Sequence, residues 1–234
     1  MMKGMLTVLL LLSGMVAGTA RAAGPAAKSD AAQAKDLIRR VLASNEAFMK
    51  AKGPEHFKAF IEGQHPKATV VTCSDSRVQM QALSADPDNE LFVIRNIGNQ
   101  IATCEGSVQY GVHHLHTPVL LIIGHVRCGA IQAAEGDYAK EPQAIRRELD
   151  TLKVAKGQGW LEGVKANVHD QVKAALALFA EEVQKGDLTV VGAVYDFADD
   201  LQHGNGRLAV VNVNGETDAA KLQAFTGGSA GPKG

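Results

Sequence analysis

Two short stretches carry the groups able to do chemistry. "VVTCSDSRVQM" (Val70 to Met80) ends an apolar run with a thiol, a carboxylate and a guanidinium at alternate positions, Cys73, Asp75 and Arg77. If the extended run continues through them, the three side chains share one face. "GHVRCGA" (Gly124 to Ala130) ends a second apolar run and separates His125 from Cys128 by two residues. Two thiolates and one imidazole make a Cys2His set. Three protein ligands leave a fourth position for water, the pattern of catalytic rather than structural zinc. Singly, each feature has a plainer reading: a cysteine after a strand is usually a small buried hydrophobe, and an Asp-x-Arg is usually a surface ion pair worth little. The combination favours a metal centre, provided the two runs lie side by side in one sheet.

The elements that must place them alternate. "ATVVTC" (68–73), "LFVIRN" (91–96), "VLLIIGH" (119–125) and "LTVVGAVYD" (188–196) read as strands, and their continuous apolar character suits a parallel sheet covered on both faces. "RLAVVNV" (207–213), after the turn "HGNG", reads as an antiparallel edge. Helices are predicted from Ser29 or Asp30 to about Lys50, with Leu37, Val41, Leu42 and Phe48 on one side. Two more are expected over Cys104–His116 and over Ala166–Lys185, where Val168, Val172, Leu176, Phe179 and Val183 recur at helical steps. This order predicts an α/β fold: a mainly parallel four-stranded central sheet with an antiparallel edge strand, flanked by helices. In such sheets ligands bind beyond the carboxyl ends of the strands, where both motifs stand.

The start of the chain reads as a targeting segment. Lys3, the apolar run "MLTVLLLLSGMVAG" and the A-x-A pattern Ala20-Arg21-Ala22 predict a signal peptide over 1–22, hence a periplasmic or secreted protein. The run is shorter than the roughly 20 residues a membrane-spanning helix needs. Residues 23–234 read as a single domain, with the Gly-rich tail 226–234 disordered. With 24 basic and 25 acidic residues and no basic run, the chain predicts no nucleic-acid partner, and no second long apolar stretch predicts a membrane. A small, soluble substrate remains. The three cysteines, Cys73, Cys104 and Cys128, are too few and too odd for a disulfide framework. Metal coordination would protect two of them, and Cys104 reads as a buried free thiol. His113, His114 and His116 read as surface or core histidines.

"CSDSR" (73–77), "VIRNIGN" (93–99) and "GHVRCGA" (124–130), in that order, resemble the β-class carbonic anhydrases. The likeness is dense from Gly63 to Ala130 and looser at "VVGAVYD". It implies reversible hydration of CO2 to bicarbonate and a proton by attack of zinc-bound hydroxide. One Zn2+ per subunit would be held by Cys73, His125 and Cys128. Asp75 and Arg77 would form a dyad in which Arg77 holds the carboxylate off the metal, so that it can accept a hydrogen bond from the nucleophile. Gln64, Phe92, Ile97, Tyr110 and the backbone N–H of Gly129 match substrate-pocket positions, some supplied across a homodimer or dimer of dimers. Family members with a non-catalytic bicarbonate site carry a Trp where this chain has Val70, which implies that Asp75 stays off the metal. His65, beside Gln64, is a candidate proton carrier, and activity should rise toward alkaline pH. Two alternatives stand beside this: hydrolysis of COS or CS2 on the same scaffold, and a non-catalytic zinc or thiol redox protein. The latter leaves Asp75, Arg77 and Gln64 without a role.

Overall fold

The structure, a computed structural model, describes residues 30–227. The predicted signal peptide and all but Thr226 and Gly227 of the predicted tail lie outside them. Five strands form one sheet: β1 (Ala68–Cys73), β2 (Leu91–Asn96), β3 (Val119–His125), β4 (Thr189–Asp196) and β5 (Arg207–Val213). Their order is β2-β1-β3-β4-β5. The first four run parallel, and β5 pairs antiparallel to β4 with a bulge between Gly192 and Ala193. The predicted fold class is the observed one.

The helices are α1 (Asp30–Lys58), α2 (Glu105–Gln109), α3 (Gly129–Glu135), α4 (Gln143–Leu149), α5 (Trp160–Leu178), α6 (Ala180–Lys185) and α7 (Ala219–Phe225). Three depart from their predicted bounds. α1 continues past Lys50 because its break at Gly53-Pro54 is a kink (Gly53 φ 72°) rather than an end. The predicted Cys104–His116 helix is α2 followed by a wider π turn over Tyr110–His114. The predicted Ala166–Lys185 helix starts at Trp160 and breaks at Phe179, whose side chain is fully buried. The contacts divide the chain after Lys58. α1 buries none of its own residues.

From Ala59 onward two core clusters line the face of the sheet that α5 covers, and Val191, Val213 and Leu222 form a third on the other face. Val71, Leu120, Ile122 and Val190 pack with Val172, Ala175 and Phe179. Cys73, Val126, Cys128 and Ile131 pack with Val164, Val168 and Val194. α5 serves both clusters because Val164, Val168, Val172 and Ala175 recur at three- and four-residue steps, each 1% exposed or less. Each such valine contributes about 1.5–3 kcal/mol of apolar burial.

α5 sits so low on β3 and β4 that two strand positions have no room for a side chain. A Cβ on Gly124 would lie 2.7 Å from Val168 Cγ2, and one on Gly192 would lie 2.7 and 2.8 Å from methyls of Val168 and Val172. Gly192→Ala removes a residue that weakens strands, yet it should destabilise the protein by about 1–3 kcal/mol through overpacking. Urea unfolding reads this directly. A midpoint equal to or above that of the wild type would mean that α5 yields.

Candidate metal centre

β1 and β3 are neighbours, so their carboxyl ends bring Cys73 and His125 to one rim of the sheet. Cys128 follows on the turn that enters α3. The sulfurs of Cys73 and Cys128 and a ring nitrogen of His125 all lie within 4.8 Å of one another, in a group that could hold a metal ion. All three are buried, at 6%, 0% and 1% exposure for Cys73, His125 and Cys128.

The imidazole is prepared for a metal. His125 Nδ1 lies 2.9 Å from the Val126 carbonyl, which can only accept, so Nδ1 carries the proton. Nε2 is left with its lone pair and no hydrogen-bond partner, in a fully buried place. That is the tautomer and outer-shell contact of a metal-ligating histidine. The sulfurs are prepared as well. The Cys73 thiol is held well below its ordinary value by the neighbouring Cys128, His125 and the backbone N–H groups of Gly98 and Asp75, against the opposing cost of burial. Cys128 is pushed far up by that same neighbour and by burial, although the N–H groups of Ala130 and Ile131 favour its thiolate. The two sulfurs and Nε2 face one another closely enough for a single cation to satisfy all three ligand atoms. Zinc suits such a soft, mixed S/N set.

Asp75 and Arg77 converge by a different route from the expected one. β1 stops at Cys73, and the chain turns with Asp75 Oδ1 accepting from the Arg77 backbone N–H at 2.9 Å. The Arg77 guanidinium then grips both carboxylate oxygens, Nε to Oδ1 at 2.9 Å and Nη2 to Oδ2 at 2.6 Å. This grip is the main reason the Asp75 carboxyl lies far below the usual carboxylate range. Oδ2 is also 3.7 Å from His125 Nε2, so the dyad borders the ligand set.

The predicted pocket residues divide between the two ends of the parallel strands. Ile97 packs against the core cluster that includes Cys73 and Cys128, and Gly129, the first residue of α3, has open space where a side chain would project. Gln64 and His65 stand before the start of β1, with His65 exposed and Gln64 exposed beside it. Phe92 pairs in register with Thr69, and the Tyr110 ring centroid is 5.8 Å from that of Phe92. At about 3.3 Å of rise per residue, Thr69 and Phe92 lie about 13 Å from the Cys73 end of the sheet. Val70 is completely buried. His113 pairs with Glu182 at 3.0 Å and His114 stacks on Tyr110, with neither in the ligand group.

Several organising residues escape a reading of the sequence. Arg95 donates to the carbonyls of Cys73, Asp75 and Val78, fixing the turn after β1. From α5, Asn167 Nδ2 donates to the Gly98 carbonyl at 2.9 Å and Gln171 Oε1 accepts from the Ile101 N–H at 2.8 Å. They tie down the loop whose Gly98 N–H faces the Cys73 sulfur. The available signal was two amides four residues apart among the buried valines of a helix. Cys104 is half-buried, donates to the Gln100 carbonyl, and has its thiol pushed up to about 11 by burial.

This arrangement predicts that oxidation depends on a bound metal. Zinc-loaded protein should keep all three thiols under a mild oxidant, whereas chelated protein should lose Cys73 and Cys128 and retain Cys104. Thiol titration after timed exposure measures it, and equal losses from both forms would contradict the shared site.

Known proteins with this pattern point one way. The sequence model of the carbonic anhydrase family matches residues 68–202. The carbonic anhydrase of Synechococcus elongatus is 34% identical over 185 residues, covering 68% of each chain. Carbonic anhydrase 2 of Mycobacterium tuberculosis is 27% identical over 161 residues, covering 62% of this chain and 77% of that one. In three dimensions, a tetrameric β-carbonic anhydrase of Sordaria macrospora superposes with a TM-score of 0.65 at 23% identity, over 76% of this chain and 98% of that one. On the family match, and with the sheet and the rim of sulfur and imidazole ligands described above, the chain belongs to the β-class carbonic anhydrases.

Proposed function

We propose that the chain is an exported zinc enzyme that hydrates CO2 reversibly, with Cys73, His125 and Cys128 as ligands to one ion per subunit. The observation that carries the zinc assignment is the buried, unpartnered Nε2 of His125 grouped with the sulfurs of Cys73 and Cys128, all three ligand atoms within 4.8 Å of one another. When bound, the ion supplies Lewis acidity that makes a hydroxide nucleophile available near neutral pH. The reaction adds water across one C=O of CO2: a C–O bond forms, a π bond breaks onto oxygen, and one proton leaves.

The chain's own residues orient these partners. Asp75, beside His125 Nε2, accepts a hydrogen bond from the attacking hydroxyl. Arg77 holds both Asp75 oxygens, which keeps the carboxylate from replacing the nucleophile. This is the role that Val70, standing where a Trp would be, favours. Ile97 and the Gly129 N–H border the same rim. Export rests on the Met1–Ala22 pattern, and an oxidising compartment suits a thiol pair shielded by metal.

The reading includes a homodimer, or a dimer of dimers. Gln64, Phe92 and Tyr110 stand at the other end of their own sheet from Cys73, which supports a reading in which a second copy supplies them. α1 agrees: Leu37, Ile38, Val41, Leu42, Phe48 and Met49 are each 40% exposed or more, an apolar stripe that a second copy would cover.

Stopped-flow CO2 hydration tests the chemistry. Zinc-loaded wild type should be active, with a rate that rises between about pH 6 and 9, and Asp75→Asn should lower kcat about 100-fold. A zinc-loaded wild type without hydration activity would sink the reading. Subunit mixing tests the shared pocket. Gln64→Ala and Asp75→Asn chains, each impaired alone, should together recover about a quarter of the wild-type rate, because half the dimers are mixed and each mixed dimer holds one intact site. A mixture no better than the mean of its components would place each site within one chain.

A further inference from the structure

The turn that joins His125 to Cys128 has a backbone its sequence does not favour. Arg127 sits at φ 54°, in the left-handed region more natural to glycine. A residue with a long side chain stays there only when its surroundings over-determine it. At one end of Arg127, the guanidinium forks onto Asp200, Nε to Oδ2 and Nη2 to Oδ1, both at 3.0 Å. At the other, the carbonyl accepts from Arg77 Nη2 at 3.2 Å. Arg77 is the residue that grips Asp75.

Asp200 is itself fixed. The buried carboxylate of Asp196, at the end of β4, accepts from the backbone N–H groups of Ala198, Asp200 and Leu201 at 3.1, 3.1 and 2.7 Å. The loop so closed also sets the Phe197 ring beneath Arg77, 4.5 Å from ring centroid to guanidinium carbon. One loop therefore touches both arginines. Exposed ion pairs ordinarily contribute little, but this one is bidentate and the Asp200 side chain is only 17% exposed.

We propose that the Arg127–Asp200 pair is a positioning clamp for Asp75: it holds the turn between the two ligands so that the Arg127 carbonyl meets Arg77, and Arg77 in turn fixes the carboxylate. The inference rests on the carbonic anhydrase reading of this centre. Arg127 and Asp200 are positioning residues, since the hydrogen bonds they make lead to Asp75 through Arg77.

A double-mutant cycle on the zinc-loaded chain tests it. Asp200→Ala and Arg127→Ala should each retain zinc and lower kcat by about 10- to 100-fold with little change in KM. Asp200→Glu should restore part of that loss. In an Asp75→Asn background, Asp200→Ala should cost nothing further, because the step it serves is already gone. If Asp200→Ala does not fold, Arg127→Lys keeps the charge, loses the fork and carries the same expectations. A second readout needs no turnover. In cobalt-substituted protein, Asp200→Ala should alter the visible spectrum as Asp75 is released, and Asp75→Asn should abolish that change. An unchanged kcat in Asp200→Ala, or the same fold loss with and without Asp75, would overturn the clamp. If the zinc-loaded wild type hydrates no CO2, the underlying reading falls instead, and the cobalt spectra still decide whether Asp200 governs Asp75.

Discussion

One nitrogen lone pair and two sulfurs face one another in a fully enclosed place, and the rest of the molecule is arranged around that fact. An unpartnered Nε2 at zero exposure costs about 1–3 kcal/mol, and a buried thiolate without a counter-charge costs more. A cation between them removes both costs at once. The surroundings therefore provide stiffness rather than competing ligands. Backbone N–H groups of Gly98, Asp75, Ala130 and Ile131 face the sulfurs. Arg95 uses its guanidinium on three backbone carbonyls. Asn167 and Gln171 occupy core positions on α5 to hold a loop instead of filling space. Each of these polar groups is paired, as burial near the centre demands.

The direction of the strands sets the second constraint. A parallel sheet gathers all its carboxyl ends on one rim, which is why residues distant in sequence, Cys73 and His125, meet. It also sends whatever stands at the amino ends to the far side. Gln64, Phe92 and Tyr110 are there, so the same geometry that assembles the ligands within one chain separates them from half of the proposed pocket. In this reading the second subunit completes the site, and the exposed apolar face of α1 gives it a surface to bind.

The strands were legible because each is a continuous apolar run bounded by turn residues, and the meeting of Cys73, His125 and Cys128 because their motifs close two apolar runs that become neighbouring parallel strands. The helix ends were less so. Phe179 fits a helical repeat perfectly well by type, and only its need to enter the core behind His113 breaks α5 from α6. The Tyr110–His114 π turn leaves no compositional mark. The alternation of Cys73, Asp75 and Arg77 correctly announced proximity for the wrong reason, since a side-chain-capped turn, not an extended strand, brings the last two together. Arg95, Asn167, Asp196 and Asp200 were invisible because they bind backbone groups or side chains far along the chain, and sequence spacing carries no record of those.

The Arg77 grip on Asp75 limits what its carboxylate can do. Arg77 holds it far below the usual range, so the stability this pair contributes is present above the unfolded value of about 3.9 and is lost only as pH falls through the lower folded value. Between pH 6 and 9 the group is ionised in folded and unfolded chains alike. Asp75 therefore cannot generate a rise of rate with pH in that window. In the proposed reaction such a rise would belong to water activated by a bound metal, which would leave Asp75 a geometric part, the presentation of a fixed acceptor beside His125. Geometry of this kind depends on rigidity, which accounts for a carboxylate held through both oxygens by an arginine that is itself held by a strained turn and an aromatic ring.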